Sequence, residues 1–296
     1  MTVLTMPYHT PVLVDEAVEG LRVTPGGSYI DCTVGEGGHA RAILEAASPE
    51  GRLLGIDMDP TALETAEDRL SSYRDFFAPA RGNFRDLEAI ARGRGFGCVD
   101  GILMDLGLSS LQLEGEGRGF SFRNEEPLDM RFDPSQELSA WDVVNHYSQP
   151  ELAGIFRSYG EEHRAGRIAQ AVVENRPIDT ALHLAQVVSG VVRRPWSRVH
   201  PATQVFQAIR MEVNGELDNL STALDQTLHL LKPEGRLVVI SYHSLEDRLV
   251  KGFLRRESRE VGALRIVNKK IISPSREEVR FNRRSRSARM RVAERV

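Results

Sequence analysis

One junction constrains this chain more than any other feature. Ser28-Tyr-Ile-Asp-Cys-Thr-Val34 runs directly into Gly35-Glu-Gly-Gly38 and then into an Ala-rich segment, His39 to Ala47. The apolar run predicts a buried strand, the glycines a tight turn and the Ala-rich segment a helix. The pattern then repeats. Arg52 to Asp57 reads as a second strand and Pro60 to Leu70 as a second helix. Asp75 to Ala80 is a weak third strand, Asp86 to Arg92 a short helix and Cys98 to Asp105 a fourth strand. Short apolar strands alternating with helices predict a parallel α/β sheet.

The alternation stops after Asp105 and resumes near Leu217, where leucines at 217, 220, 224, 228 and 231 mark one face of a helix. Lys232-Pro-Glu-Gly235 is a turn signal, Arg236 to Tyr242 a strongly β-prone strand and Ser244 to Arg255 a helix. Leu264–Val267 and Ala288–Val292 are weaker strand candidates. Between residues 106 and 236 the chain is far longer than the ~30 residues of a crossover, and residues 113 to about 205 hold no convincing strand. This predicts a discontinuous core, residues 1–112 and 206–296, with an inserted all-helical subdomain at 113–205 for substrate recognition. Within the insertion, Ser148-Gln-Pro-Glu151 has the form of a capping box, and Asp179 stands where it would cap a helix from Thr180 to Ser189.

The glycine turn frees the N–H groups of the helix N-terminus for a ligand. Asp57 ends the second strand twenty residues past Gly37, the spacing at which a carboxylate accepts the two hydroxyls of a ribose. A nucleoside site follows. Gly35-x-Gly37-x-x-Ala40 also fits a dinucleotide, which keeps an NAD-dependent oxidoreductase as the alternative. Asp31, however, lies inside strand one, where S-adenosylmethionine enzymes place an acid against the methionine ammonium; a hydride-transfer site has no cation needing it.

Here the residues reach a resemblance. Asp31-Cys-Thr-Val-Gly-Glu-Gly-Gly-His39 resembles the Asp-x-Thr-x-Gly-x-Gly-Gly-His motif of the RsmH (MraW) family, the 16S rRNA cytosine-N4 methyltransferases. The likeness continues in His9-Thr-Pro-Val-Leu13, in Asp100-Gly-Ile-Leu-Met-Asp-Leu-Gly-Leu-Ser-Ser110 with Gln112, and in Arg118-Gly-Phe-Ser-Phe122. It extends through Pro127-Leu-Asp-Met-Arg131, His200-Pro-Ala-Thr203, Phe206-Gln-Ala208, Ser241 to Arg248 and Arg284 to Arg291. Two features depart from it: a shorter segment between Arg259 and Ser273, and Arg283 where the family pattern has Pro.

The resemblance implies a Rossmann-like class I S-adenosylmethionine-dependent methyltransferase sheet. It implies S-adenosylmethionine as cofactor, held by Gly37, Gly38, His39, Asp57, Phe84, Asp105 and Gln112. The substrate it implies is the N4 amino group of a decoding-centre cytidine in 16S rRNA of the small ribosomal subunit. Asp105 with Ser109 is the expected catalytic pair, because the amine needs an acceptor for its hydrogens as it attacks. Ser110 is an alternative helper. Asp129, Arg131 and His243 are the candidates for substrate contact, although an Asp/Arg pair two residues apart is ordinarily a salt bridge and a histidine is ordinarily structural. Another nucleic-acid amino-methyltransferase stands as the alternative within this class.

Charge and cysteines set the remaining bounds. The net charge of −4 argues against a nucleic-acid partner until it is divided. Residues 251–296 carry 15 basic and 5 acidic side chains, +10; residues 1–250 carry 23 and 37, −14. The basic end predicts a ridge for phosphates, although the alternation at Ala288–Val292 allows part of it to be buried strand. A non-enzymatic RNA- or DNA-binding protein is the rival that this charge favours, without a helix-turn-helix, zinc or RNP pattern to support it. The insertion is −3 and is no electrostatic clamp. Cys32 and Cys98 both read as core residues, which disfavours carbon-5 methylation and its thiolate nucleophile. No metal spacing stands out, so no catalytic metal is expected. Without a membrane-length apolar run or a signal-peptide pattern at Met1 to His9, a cytoplasmic protein is expected. The pattern leaves a homodimer open.

Overall fold

The computed structural model describes residues 10–108, 117–122, 124–192 and 200–296. The chain divides into two compact units, Met1–Gly107 with Leu217–Val296, and Leu108–Glu216.

The first unit is built on a seven-stranded sheet: β1 Ser28–Asp31, β2 Arg52–Asp57, β3 Phe77–Arg81, β4 Val99–Asp105, β5 Leu231–Ser241, β6 Leu264–Ile266 and β7 Arg289–Arg295. Its spatial order is β3-β2-β1-β4-β5-β7-β6. β1 to β5 run parallel to one another, and β7 runs antiparallel to both β5 and β6. This is the expected Rossmann-like sheet. Residues two apart share a face, so Ile30, Leu54, Ile56, Ile102 and Met104 enter one core while Tyr29, Leu53, Leu103, Val238 and Ile240 enter the other. The first core is completed by helices α4 (Leu87–Gly93), α10 (Glu216–Leu230) and α11 (Ser244–Arg256), and the second by α1 (Val14–Leu21), α2 (Gly38–Ala47) and α3 (Pro60–Arg69). Burial on both faces explains why these strands read as apolar runs rather than as alternation.

The strand order reverses between β1 and β4, the position at which open α/β sheets bind ligands outside their carboxyl ends. Asp31, Asp57 and Asp105 are the last residues of β1, β2 and β4. The parallel pairing of Asp31 with Gly55 and Leu103 brings those three ends to one edge.

Two sequence expectations change at the C-terminus. The Lys232 to Gly235 turn is a bulge inside β5: Leu231 pairs with Val99, and pairing resumes at Arg236 with Gly101. The Arg-rich end is no continuous ridge. Met290, Val292 and Ala293 of β7 are buried, while Arg289 and Arg291 pair with Asp247 of α11 at 3.2 and 2.7 Å. Arg295 donates to the Ala263 carbonyl.

The second unit packs helices α5 (Ala140–His146), α6 (Gln149–Ser158), α7 (Ala165–Glu174), α8 (Ala181–Val191) and α9 (Thr203–Asn214) around Phe156, Ile168, Val172, Leu184, Val188 and Ile209. Reciprocal capping boxes start α5 at Ser139/Asp142 and α6 at Ser148/Glu151. Thr180, not Asp179, caps α8; Asp179 accepts the Trp141 indole N–H at 2.9 Å instead. The unit ends at Gly107/Leu108 and Glu216/Leu217 rather than at 112/113 and 205/206, because Val205, Phe206, Ala208, Ile209 and Val213 of α9 belong to this helical core.

Candidate functional site

The carboxyl edge of the first unit gathers three carboxylates, each with its acidity suppressed. Asp31 is 1% exposed. Its Oδ1 accepts the Thr33 N–H at 3.1 Å, while Oδ2 is buried with no hydrogen-bond partner among the described residues. Burial pushes its pKa up to about 6, against an opposing pull from His39. Asp57 is half-buried; Oδ2 accepts the Gly35 N–H and Oδ1 the Asp59 N–H, both at 2.9 Å. Burial raises its pKa to about 6 as well, although those backbone donors oppose the rise. Asp105 is half-buried, and burial lifts it to about 7, opposed by the Tyr242 hydroxyl and aided by Glu246.

The glycine turn joins these groups. Gly35 and Gly37 sit at φ +49° and +75°, backbone that costs a side-chain-bearing residue strain, and Asp57 ties Gly35 to the end of β2. Gly37 is the N-cap of α2 and, as a glycine, gives that helix no side-chain cap. The bare Cα of Gly38 admits Pro11, which a Cβ would meet at 3.0 Å. The Thr10 to Leu13 stretch therefore packs on the turn, and its Val12 carbonyl accepts His39 Nε2–H at 2.9 Å. A carbonyl can only accept, so Nε2 carries the proton and neutral His39 turns the lone pair of Nδ1 towards Asp105 Oδ2, 3.6 Å away. Burial keeps the His39 pKa low. A proton on Asp105 removes the clash of lone pairs, in keeping with its raised pKa.

Two residues absent from the sequence expectation complete the network. Thr33 Oγ1 accepts the Asp105 N–H at 2.7 Å, locking the end of β4 to that of β1. Tyr242 donates its hydroxyl to Asp105 Oδ1 at 2.8 Å, and Glu246 accepts the Tyr242 N–H at 2.8 Å. The signal for Thr33 was its place in the Asp-x-Thr motif. Tyr242 became visible only through the pairing of Asp105 with Ile240, two residues before it.

The other expected site residues divide. Phe84 begins a short 3-10 turn, half-buried against the Ile30 and Leu54 face of the sheet. His243 is turned into the fold as the N-cap of α11, its Nδ1 accepting the Glu246 N–H. That bond gives one ring nitrogen a capping role. In the helical unit, Arg131 grips Asp129 with Nε at 3.0 Å and a terminal nitrogen at 2.7 Å, and also donates to the Gln136 carbonyl. The guanidinium keeps the Asp129 carboxyl below the usual range, so this pair is first a loop brace. Ser109, Ser110 and Gln112 lie outside the described residues.

The arrangement fits the cofactor that the resemblance implies. The unpartnered oxygen of Asp31 suits an ammonium, and the partly open Asp57 a ribose diol. The uncapped α2 N-terminus offers further donors, and Phe84 offers an aromatic surface.

The Tyr242 contact gives a pH prediction. The hydroxyl stabilises ionised Asp105, so Tyr242→Phe raises the Asp105 pKa above about 7, by up to about one unit for the loss of one hydrogen bond. With the carboxylate as the working form, turnover rises with pH through that pKa, and the variant's rise moves to higher pH, on a plateau lowered by the lost positioning of the carboxylate. A pH profile identical to that of the unaltered protein excludes the coupling.

A family model described as the MraW methylase family matches residues 6–296. Three proteins named ribosomal RNA small subunit methyltransferase H are similar over almost their whole length. The one from Dehalococcoides mccartyi is 48% identical, with 97% of this chain and 86% of the relative aligned. That from Thermomicrobium roseum is 49% identical, covering 97% and 94%, and that from Thermotoga neapolitana 49%, covering 98% and 96%.

Proposed function

We propose that this chain, which belongs to the MraW methylase family, transfers the methyl group of S-adenosylmethionine to the N4 amino group of a cytidine in 16S rRNA. The decoding centre of the small subunit is the site we assign, in the cytoplasm. The observation that carries the reading is the trio of carboxylates at the sheet edge, one buried and two half-buried, all with raised pKa values, of which Asp31 leaves an oxygen without a partner among the described residues. Such a cluster is costly until a cation enters it. S-adenosylmethionine brings an ammonium and a sulfonium and no phosphate, whereas a dinucleotide would bring a pyrophosphate anion to the same acid-rimmed turn.

The roles of the chain's own groups follow. Asp31 holds the methionine ammonium, Asp57 the ribose, and Phe84 lies against the adenine. The bound cofactor supplies an electrophilic methyl group. The N4 lone pair of cytosine is delocalised into the ring, so the amine must be oriented and its hydrogens drawn upon. Asp105 accepts an N4 hydrogen and takes the proton as the nitrogen becomes tetrahedral. Tyr242 and Thr33 fix that carboxylate, and placement supplies much of the rate. Ser109 and Gln112 keep the roles given by the resemblance, and Asp129 with Arg131 braces the loop that we assign to the target.

The direct test is mass spectrometry of 16S rRNA nucleosides from cells with and without the gene. N4-methylated cytidine is expected to disappear at one position and to return when purified protein and S-adenosylmethionine are added to the undermethylated small subunits. An unchanged nucleoside profile would overturn the assignment.

A further inference from the structure

The fold sorts the cations of the C-terminal segment into two groups. Those on β7 are consumed: Arg289 and Arg291 by Asp247, Arg295 by the Ala263 carbonyl. On the preceding helix α12 (Arg276–Phe281) and the 3-10 turn Arg283–Ser287, four cations are not consumed in this way: Arg276, Arg280, Arg283 and Arg286. Arg276 and Arg280 stand four apart on the helix, hence on one face. Arg283 and Arg286 stand three apart on the 3-10 turn, where such residues eclipse. All four are exposed, and no carboxylate among the described residues pairs with them. Glu277 is the one exposed carboxylate in this stretch.

Among these arginines lies Phe281, 82% exposed, the most exposed large apolar side chain described. Its position is held from behind. Glu278 accepts the Leu13 N–H, Asn282 donates to the Thr10 carbonyl, and the Ser285 hydroxyl is buried on the Asn282 carbonyl. The segment is therefore fastened to residues 10–13, the stretch that packs Pro11 on Gly38 and binds His39. A free aromatic face among unpaired guanidiniums is the composition of a single-stranded nucleic-acid platform, where bases stack and phosphates find fixed cations.

We propose that α12 and the 3-10 turn form a docking platform for single-stranded RNA of the substrate, with Phe281 stacking on a base and Arg276, Arg280, Arg283 and Arg286 contacting phosphates. The proposal rests on the RNA reading of the active site and adds to it the surface that receives the strand.

The test measures binding of a fluorescein-labelled, unstructured oligoribonucleotide by anisotropy across a salt series, alongside KM for undermethylated small subunits. Phe281→Ala is expected to weaken oligonucleotide binding about five- to one-hundred-fold, as for one lost base stack. Phe281→Trp is expected to retain it. Each Arg→Ala change in the set is expected to reduce the slope of log affinity against log salt by about 0.7. Affinity for S-adenosylmethionine, measured by calorimetry, stays unchanged in all of them. Wild-type RNA affinity in Phe281→Ala overturns the platform, as does an unaltered salt slope in the arginine variants. So does a parallel loss of cofactor affinity, which would mark a structural role. Equal displacement of the RNA by polyglutamate identifies an acidic protein surface as the occupant and also overturns it. Should the unaltered protein bind the oligonucleotide through Phe281 and yet methylate no small subunit, the functional reading fails and the platform stands.

Discussion

Replacing Asp105 by Asn is expected to lower the single-turnover rate of methyl transfer about 10²–10⁴-fold, the usual worth of a positioned proton acceptor. The amide is nearly the same shape as the carboxylate. Its oxygen still accepts from Tyr242, where Oδ1 now lies 2.8 Å from the hydroxyl. Its N–H₂ can face His39 Nδ1, where the carboxylate oxygen stands 3.6 Å away. The variant therefore keeps the neighbours in place and removes only the capacity to take a proton. Folding is not expected to suffer. An acid whose pKa is raised from 3.8 to about 7 contributes most stability below pH 3.8 and loses it as the pH climbs through 7. At pH 8 the wild-type protein has lost that contribution, and the Asn variant never titrates. The check is the rate measured from pH 6 to 9. The unaltered enzyme gains activity through about pH 7, while the residual rate of the variant is flat. Methyl transfer by Asp105→Asn at the wild-type rate would sink the assignment.

The turn and its acids were legible because they are local. A strand, three glycines and a carboxylate at a fixed distance follow from backbone geometry within about thirty residues, and the parallel pairing among β1 to β5 follows from alternation. What stayed hidden depends on pairing between distant segments. Tyr242 reaches Asp105 only because β4 and β5 pair in one particular register. The same stretch hid a cap at His243, where His-x-x-Glu closes a capping box that is normally written with Ser or Thr. The charge of the last 46 residues was visible, but its division was not. Arg291 and Arg283 look equivalent in the sequence; one lies on an inner strand beside Asp247 and the other on an exposed turn. The boundary at Glu216 was missed for a related reason. The apolar stripe of α9 is the same for any amphipathic helix, and nothing local says which core it enters.

Asp31→Asn sets stability and cofactor affinity against each other. Asp31 is fully enclosed, and one of its oxygens has no partner among the described residues. Its pKa of about 6 means that ionisation above that pH costs the cofactor-free fold on the order of 3 kcal/mol relative to the unfolded chain. The sign is that of any acid raised by burial: stability from this group is complete below pH 3.8 and is lost as the pH passes 6. The amide avoids the charge and still accepts from Thr33, so the cofactor-free variant should melt no lower than the unaltered protein at pH 8, and the fall in its stability between pH 4 and 7 should be shallower. Some of the gain is offset, because the new N–H₂ has no evident acceptor either. Cofactor affinity moves the other way. Loss of one partner from a buried ion pair costs about 3–5 kcal/mol, or roughly 10²–10⁴-fold in Kd. Affinity in the unaltered protein should also rise with pH through about 6 as Asp31 ionises, a rise that the variant loses. Calorimetric titration with S-adenosylmethionine at pH 5 and pH 8, paired with thermal melts, measures both quantities. A variant that loses stability and affinity together would make Asp31 a structural group and remove the principal reason for reading a cationic cofactor into this site.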